Sequence, residues 1–588
     1  MRIWFWLALA ILQAVFLFVA PSLAADGLLY ALALNAVGSI AILVWWLFFS
    51  GQPRVDRWLA VLWAAVAVVA LYPLLHESIS GAGMGRLYLF HVIPVSALAL
   101  VAGAAAGRGQ AAGARRALLA LFLLLAPAAF LLLRTEGVTG EGRSQFALRW
   151  TQTPEQRLLA AEPVSVPSAP PAAAAPAAAP ETLAREESKS PPAPAPAPAQ
   201  MPAEWPGFRG VHRDGRVPGL RVATDWTAQP PTELWRREVG PGWSSFAIGG
   251  GLAFTQEQRG DYEVIAAYRL ETGEPAWSHR TAARFYESNG GPGPRGTPAL
   301  HEGRLYAIGA TGIVTALDAA TGTALWSRNA ATDTGAKIPE WGISSSPLIV
   351  NGLLIVAASG RLAAYDPASG KQVWAGAAIG GSYSSPHLAL FGKTEQIVFL
   401  AGQAVFGVSP ADGRILWRHD WEGSKIIQPS VTADGALLVT TGGMSGGEAT
   451  RRLSVAPASG GEWKVTEAWT SRGLKPYYND LVIHKGHAFG FDASILSCID
   501  VNDGQRKWKG GRYGFGQMLL LPDQDLLLIL SEQGEVALVS ATPDQYREVG
   551  RFQAIEGKTW NHPAMAGDVL LVRNDREMAA FRLTRAKD

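Results

Sequence analysis

One cysteine, Cys498, stands in the whole chain. No intramolecular disulfide can form, and no paired-cysteine redox or zinc motif is available. The cysteine falls in a strand-like segment, where a lone thiol is expected to be core packing. Charge is also scarce, at 17% of residues, with 51 Lys and Arg against 49 Asp and Glu. The balance is uneven along the chain. Residues 1–134 carry eight arginines and three acids, so the remainder is slightly acidic. That remainder has no basic surplus, which argues against nucleic acid as its partner. There is no His-Glu-x-x-His pair and no phosphate loop. Gly443–Gly447 fits Gly-x-Ser-x-Gly, but it lies between strand-like runs rather than on a strand-to-helix elbow, so it is not expected to be catalytic. His484 and His487 are expected in one strand, where odd spacing points them to opposite faces and away from a shared metal.

Apolar runs are plentiful at the start. Five stretches, 4–24, 28–49, 58–75, 87–106 and 117–133, are each close to the roughly 20 residues a membrane-crossing helix needs. Arg2, Arg54, Arg57, Arg108, Arg115 and Arg116 fall on one side of these crossings, and Arg86 alone on the other. The positive-inside rule then places the N-terminus in the cytoplasm and everything after Leu133 across the membrane. Ser22-Leu23-Ala24 resembles a signal cleavage site, but its apolar run is long for a signal peptide, so the first span is expected to remain. His91 and Gln13 are the polar residues of note inside the spans. With no ionisable partner near it in sequence, His91 is expected to be structural.

Beyond the spans lies a juxtamembrane segment, 135–162. Thr153-Pro154-Glu155-Gln156 reads as a capped helix start, and the short helix is expected at the membrane surface. Residues 163–203 are almost wholly Pro, Ala and Ser and predict a flexible linker that tethers the C-terminal region.

From 204 to 588 one pattern repeats. Its copies read YRLETGEPAW to Trp277, ALDAATGTALW to Trp326, AYDPASGKQVW to Trp374 and VSPADGRILW to Trp417. Two more are VAPASGGEWKVTEAW to Trp469 and CIDVNDGQRKW to Trp508. Successive tryptophans are 49, 48, 43, 52 and 39 residues apart. A period near 45 built of short apolar strands predicts an all-β propeller. Asn351-Gly352 and Gly360-Arg361 mark hairpins within one unit. The Asp-x-x-Thr-Gly step joins the third and fourth strands, and its tryptophan is expected to pack between blades. An isolated strand around Trp235 precedes the first unit, and the last unit has three strands. The two halves predict a blade shared by both ends, which closes the ring and covers its edges. Phe552 fills the outer aromatic position of one further unit, which brings the count to eight blades.

These repeats resemble the pyrroloquinoline-quinone (PQQ)-like propeller family, and WPGFRGVHRDG (Trp205–Gly215) resembles the entry segment of many uncharacterised members. The family includes quinoprotein alcohol and sugar dehydrogenases and the non-catalytic lipoprotein of the outer-membrane β-barrel assembly machinery. Five spans before an external propeller also resemble membrane-bound quinoprotein glucose dehydrogenase. The resemblance thus implies two functions. One is a binding or scaffold module in the cell envelope, anchored in the inner membrane with its propeller in the periplasm. The other is a PQQ-dependent dehydrogenase that passes electrons to quinone. The chain departs from the enzymes in lacking adjacent cysteines, in its short blades and in offering no match to their calcium and base residues. The scaffold reading is therefore preferred, with PQQ and calcium as the alternative cofactors.

The segments that enter the innermost strands are rich in polar and aromatic residues, and in a propeller they converge on one mouth of the channel. They supply Arg295, Trp341, Tyr383, Lys475, Tyr477, Asn479, Lys558, Trp560 and His562 as a candidate mouth for a protein, peptide or glycan partner. For the enzyme reading, Asp480 is the candidate base and Glu287 with Asn289 the candidate calcium ligands.

Overall fold

In the computed structural model, residues 3–23, 27–161, 200–423, 426–441 and 449–586 are described. The Ala24 cleavage position, most of the Pro/Ala linker and the Gly443–Gly447 motif lie outside them. The chain divides into two units: 1–153 with 286–291, and 154–285 with 292–588.

The N-terminal unit holds apolar helices at Ile3–Leu23, Gly27–Val44, Arg54–Leu71, Leu87–Ala106 and Ala112–Ala128. Four of these, with their flanking turns, are long and apolar enough to cross a membrane, and the first has a shorter apolar stretch, Ile3–Val19. The last two helices pack closely, because a Cβ on Gly103 would lie 3.2 Å from the Leu119 Cα. Arg115 and Arg116, two of the arginines that set the expected topology, both bind Asp56, at 2.6 and 2.7 Å. His91 is buried, with its Nδ1 2.9 Å from the Leu87 carbonyl and its ring edge-on to Phe146. A short hairpin, Leu133–Val138 with Ser144–Leu148, ends the unit and was not foreshadowed by the hydropathy.

The second unit is the eight-bladed propeller. Blades 1 to 8 occupy 247–282, 299–329, 348–375, 387–420, 430–471, 482–512, 517–553 and 564–582. Each is an antiparallel sheet whose strands run in chain order from axis to rim. Blade 8 is completed by Thr232–Glu238, which pairs with Glu577–Arg582 and sets Trp235 opposite Ala580. The two chain halves thus share one sheet, and ring closure stands as the sequence implied. Blade 1 gains a fifth strand, Ala203–Trp205, on its axial side. The helix Pro154–Ala161 belongs to this unit. Its Glu155 accepts from the Gly260 N–H and pairs with Arg284.

The repeat motif proves to be a lock between neighbouring blades. Trp277 of blade 1 donates its indole N–H to the Ala319 carbonyl of blade 2, at 3.0 Å. Its ring covers Gly322 of the same turn, where a Cβ would lie 2.5 Å from the indole. That glycine also has φ +73°, so the position excludes a side chain twice over. Trp235, Trp326, Trp374 and Trp469 make the same pair of contacts, donating to Leu270, Pro367, Pro410 and Val501 and covering Gly273, Gly370, Gly413 and Gly504. The strand partner beneath the ring is small: Ala580, Ala267, Ala316 and Ala364 face the tryptophans of blades 8, 1, 2 and 3. Cys498 fills the same place under Trp508, and burial pushes its thiol up to about 12. Trp417 differs. Its indole N–H bonds Gln396 within its own blade, because the turn of blade 5 at Ser459–Gly461 brings no glycine under it.

Candidate functional site

At the axis the repeat carries a different device. Ser245, Thr297, Ser346, Ser385, Gln428 and Asp480 each sit just before, or at the start of, the first strand of their blade. The backbone N–H of each of the first five donates to the side chain of the next. Ser245 donates to Thr297 at 3.0 Å, Thr297 to Ser346 at 3.0 Å and Ser346 to Ser385 at 2.9 Å. Ser385 then donates to Gln428 at 2.9 Å and Gln428 to Asp480 at 2.8 Å. His562 of blade 8 returns the chain to blade 1, because its carbonyl accepts from the Ser245 hydroxyl at 2.6 Å. These backbone groups point into the channel rather than into a sheet, so each needs a side-chain partner. The recurring Ser-Ser-Pro entry was the visible signal of this girdle. Its cyclic pairing across blades was not.

Asp480, the candidate base, is therefore a girdle member. Its second oxygen lies 3.7 Å from the Arg209 Nε and 3.5 Å from the His562 Nε2. Burial opposes its ionisation. The Arg209 guanidinium, the His562 ring and the Gln428 N–H outweigh that and hold the carboxyl below its usual range. Burial lowers His562, which sits edge-on to Phe208 at 5.0 Å.

Arg209 comes from a segment that sequence reasoning did not place at the site. Residues 204–217 run along the ends of the blades opposite the mouth. The Pro206 carbonyl accepts from Leu300 and the Gly215 carbonyl from Leu520. The segment then turns inward, with Arg209 and Arg213 both in the left-handed region at φ +60° and +55°. Non-glycine residues are held there only where surrounding contacts fix them. Arg209 donates to the Leu481 carbonyl at 2.7 Å, and Arg213 to the Pro347 and Ser346 carbonyls at 2.8 and 3.2 Å. The segment plugs the channel, and two arginines form the plug. Burial, with Arg209 nearby and against the pull of Asp480, draws Arg213 down to about 9. Burial and the same two arginines push His387 down to about 3.

The mouth lies at the other end and is walled by aromatics. Trp243 and Trp560 are 4.7 Å apart, Tyr478 is 5.1 Å from Trp560, and Phe515 joins Tyr478 at 5.6 Å and Tyr477 at 5.9 Å. Lys558 lies over Trp560 at 4.2 Å and over Trp243 at 5.0 Å. Trp341 stacks on Tyr383 at 4.9 Å, in a second aromatic group. Arg295 bonds the Pro292 and Gly293 carbonyls and lies over Phe285. Asn479 is buried and caps the Tyr477 N–H. Lys475 turns to Asp492, which it shares with Arg506 and Lys509.

Glu287 and Asn289 group with the N-terminal unit, where Asn289 accepts from the Gly83 N–H and Glu287 accepts from the N–H groups of Asn289 and Gly290. Glu287 and Asn289 thus belong to one unit and Asp480 to the other. Among the described residues no group of three or more His, Cys, Asp or Glu is placed to hold a metal. His484 and His487 also differ from expectation. Lys485-Gly486 is a turn, so the two are cross-strand partners. His484 is occupied by Asp525, and His487 by its neighbour's carbonyl.

The chain is similar in sequence to the family described as outer membrane protein assembly factor BamB, whose model matches residues 227–406 and 401–563. No curated relative matches. Among solved structures it is similar to BamB from Moraxella catarrhalis, at 15% identity and TM-score 0.43, over 60% of this chain and 100% of that one. A quinohemoprotein alcohol dehydrogenase from Comamonas testosteroni aligns at 12% identity and TM-score 0.44, over 65% of this chain and 81% of that one. A europium-containing methanol dehydrogenase aligns at 10% identity and TM-score 0.40, over 63% and 95%. The sequence matches together span more than half of the chain, in the blades where the tryptophan–glycine lock recurs, and the chain belongs to this PQQ-like repeat family.

Proposed function

We propose that this protein is a binding module of the cell envelope, anchored in the inner membrane by its N-terminal helices, with the propeller on the periplasmic side. The observation that carries the reading is the mouth. Half-buried Trp243, Tyr477, Tyr478 and Trp560 with Lys558 form a preformed aromatic wall. Such walls suit a protein, peptide or glycan partner, because rigid aromatics give contact area at low entropic cost. The girdle supports it further, since Asp480 is committed to Arg209 and Gln428 and is not poised as a base.

Two experiments on the full-length protein test this. Reporter fusions after Gly51 and after Ala203 should report opposite sides of the membrane, and the same side for both would overturn the anchoring. Addition of PQQ and calcium to the detergent-purified protein should give neither a thermal shift nor dye reduction. A saturable cofactor-dependent shift with dye turnover would replace the binding reading with the dehydrogenase one.

A further inference from the structure

The axis contains more positive charge than its one carboxylate balances. Arg209 and Arg213 share only Asp480, and no carboxylate lies within ion-pair distance of Arg213 among the described residues. Arg209 is 2% exposed; its Nε faces Asp480 at 3.7 Å, while its Nη1 makes no hydrogen bond. The Nδ1 atoms of His387 and His562 are also buried without a partner. A buried guanidinium with open donors is costly unless an anion meets it. Four polar side chains from the plug and from blades 4 and 8 thus bring unpartnered nitrogens or unbalanced charge to one place on the axis.

We propose that the channel between the mouth and the 204–217 plug holds a binding site for a monovalent carboxylate, formed by Arg213 and Arg209 with His387 beside them. One unbalanced charge calls for a monoanion rather than a phosphate dianion. Guanidinium groups favour a planar carboxylate, whose two oxygens meet their forked N–H groups. Asp480 holds Arg209 in place and supplies the negative charge that limits the site to one further anion. The proposal rests on the reading of the mouth only for the route by which the ligand enters. The carboxylate belongs either to a small free acid or to the chain end of a partner.

The test is thermal unfolding of the full-length protein in detergent, at constant ionic strength, with acetate, formate or chloride. Acetate and formate should raise the Tm saturably, by roughly 2–4 °C for each kcal/mol of linkage. Arg213→Gln should remove that dependence while the protein remains folded. If this variant does not fold, Arg213→Lys keeps the charge without the fork and should need at least tenfold more acetate for the same shift. A short peptide with a free C-terminus, compared with its amide, separates the two sources. A peptide acid that competes with acetate points to a partner's chain end, and one that does not points to a free small acid. No shift with any carboxylate, equal shifts with chloride, or an unchanged acetate response in Arg213→Gln would overturn the proposal. Trp560→Ala probes the mouth separately. An acetate shift kept in this variant would show that the anion site stands whether or not the mouth reading does.

Discussion

The rim and the axis of the propeller solve different problems with the same repeat. At the rim, five interfaces use one contact: an indole over a glycine, with its N–H on the neighbouring turn. At the axis the equivalent positions are Ser, Thr, Ser, Ser, Gln and Asp, and each differs in what it reaches. Repetition at the rim gives a closed ring. Variation at the axis gives that ring a site.

The largest expected effect comes from opening the rim. Deleting 232–240 from the full-length chain leaves blade 8 with three strands and an unpaired edge. Size-exclusion chromatography should show aggregation, and circular dichroism should show no cooperative unfolding. A monomer as stable as the parent would break the closure argument.

Next are single changes on each side of the comparison. Asp480→Asn leaves Arg209 and Arg213 without a carboxylate and should cost roughly 3–5 kcal/mol, read by denaturant unfolding. A catalytic base would instead be replaced with stability unchanged. Trp326→Ala at the rim should cost about the same, from its lost volume.

A smaller effect separates the regular lock from the exception. Trp374→Phe strands the Pro410 carbonyl and should cost about 1 kcal/mol, and no side-chain change can restore it. Trp417→Phe strands Gln396 instead. Adding Gln396→Met should recover most of the loss, because removing both partners of a buried bond is nearly neutral. Failure of that rescue would mean that the loss in Trp417→Phe comes from more than the stranded Gln396.

The smallest is a pH slope. His387 is held near 3, whereas the unfolded chain takes up its proton at the ordinary value of about 6.5. Between these values the unfolded state binds the extra proton, so stability falls as pH drops from 6.5. Asp480 adds a second loss at lower pH, as acid reaches its depressed folded value. In His387→Gln the fall in Tm between pH 6.5 and 4 should be shallower. An unchanged slope would place the acid sensitivity elsewhere.

The rim was legible in the sequence because its contact needs particular residues at fixed spacing. A glycine that must admit an indole, with the next indole four residues later, leaves a mark in every copy, and even the Phe552 blade could be counted. Ring closure was legible because an orphan strand and a short last unit complement each other. The ring contacts of Trp341 with Tyr383 and of Tyr477 and Trp560 with Tyr478 join residues of the aromatic entry segments singled out in the sequence. The girdle was obscured because each bond joins residues about 45 apart that differ in type. Arg209 and Arg213 were missed because they lie outside the repeat, in WPGFRGVHRDG, where nothing in the local pattern shows a turn toward the axis. The membership of Glu287 and Asn289 in the N-terminal unit was not legible, because a loop rich in glycine looks the same whichever unit it joins.

The shared eighth blade also sets a timetable. Thr232–Glu238 is synthesised before blade 1, but its partner Glu577–Arg582 emerges roughly 340 residues later. At ~5–20 residues per second the first strand waits on the order of tens of seconds. Throughout that interval the growing arc presents two raw sheet edges to the crowded space in which it is being made. A chaperone that shields exposed strands during synthesis, or rapid delivery of the Glu577–Arg582 strand, would then govern how much of this protein reaches the ring at all.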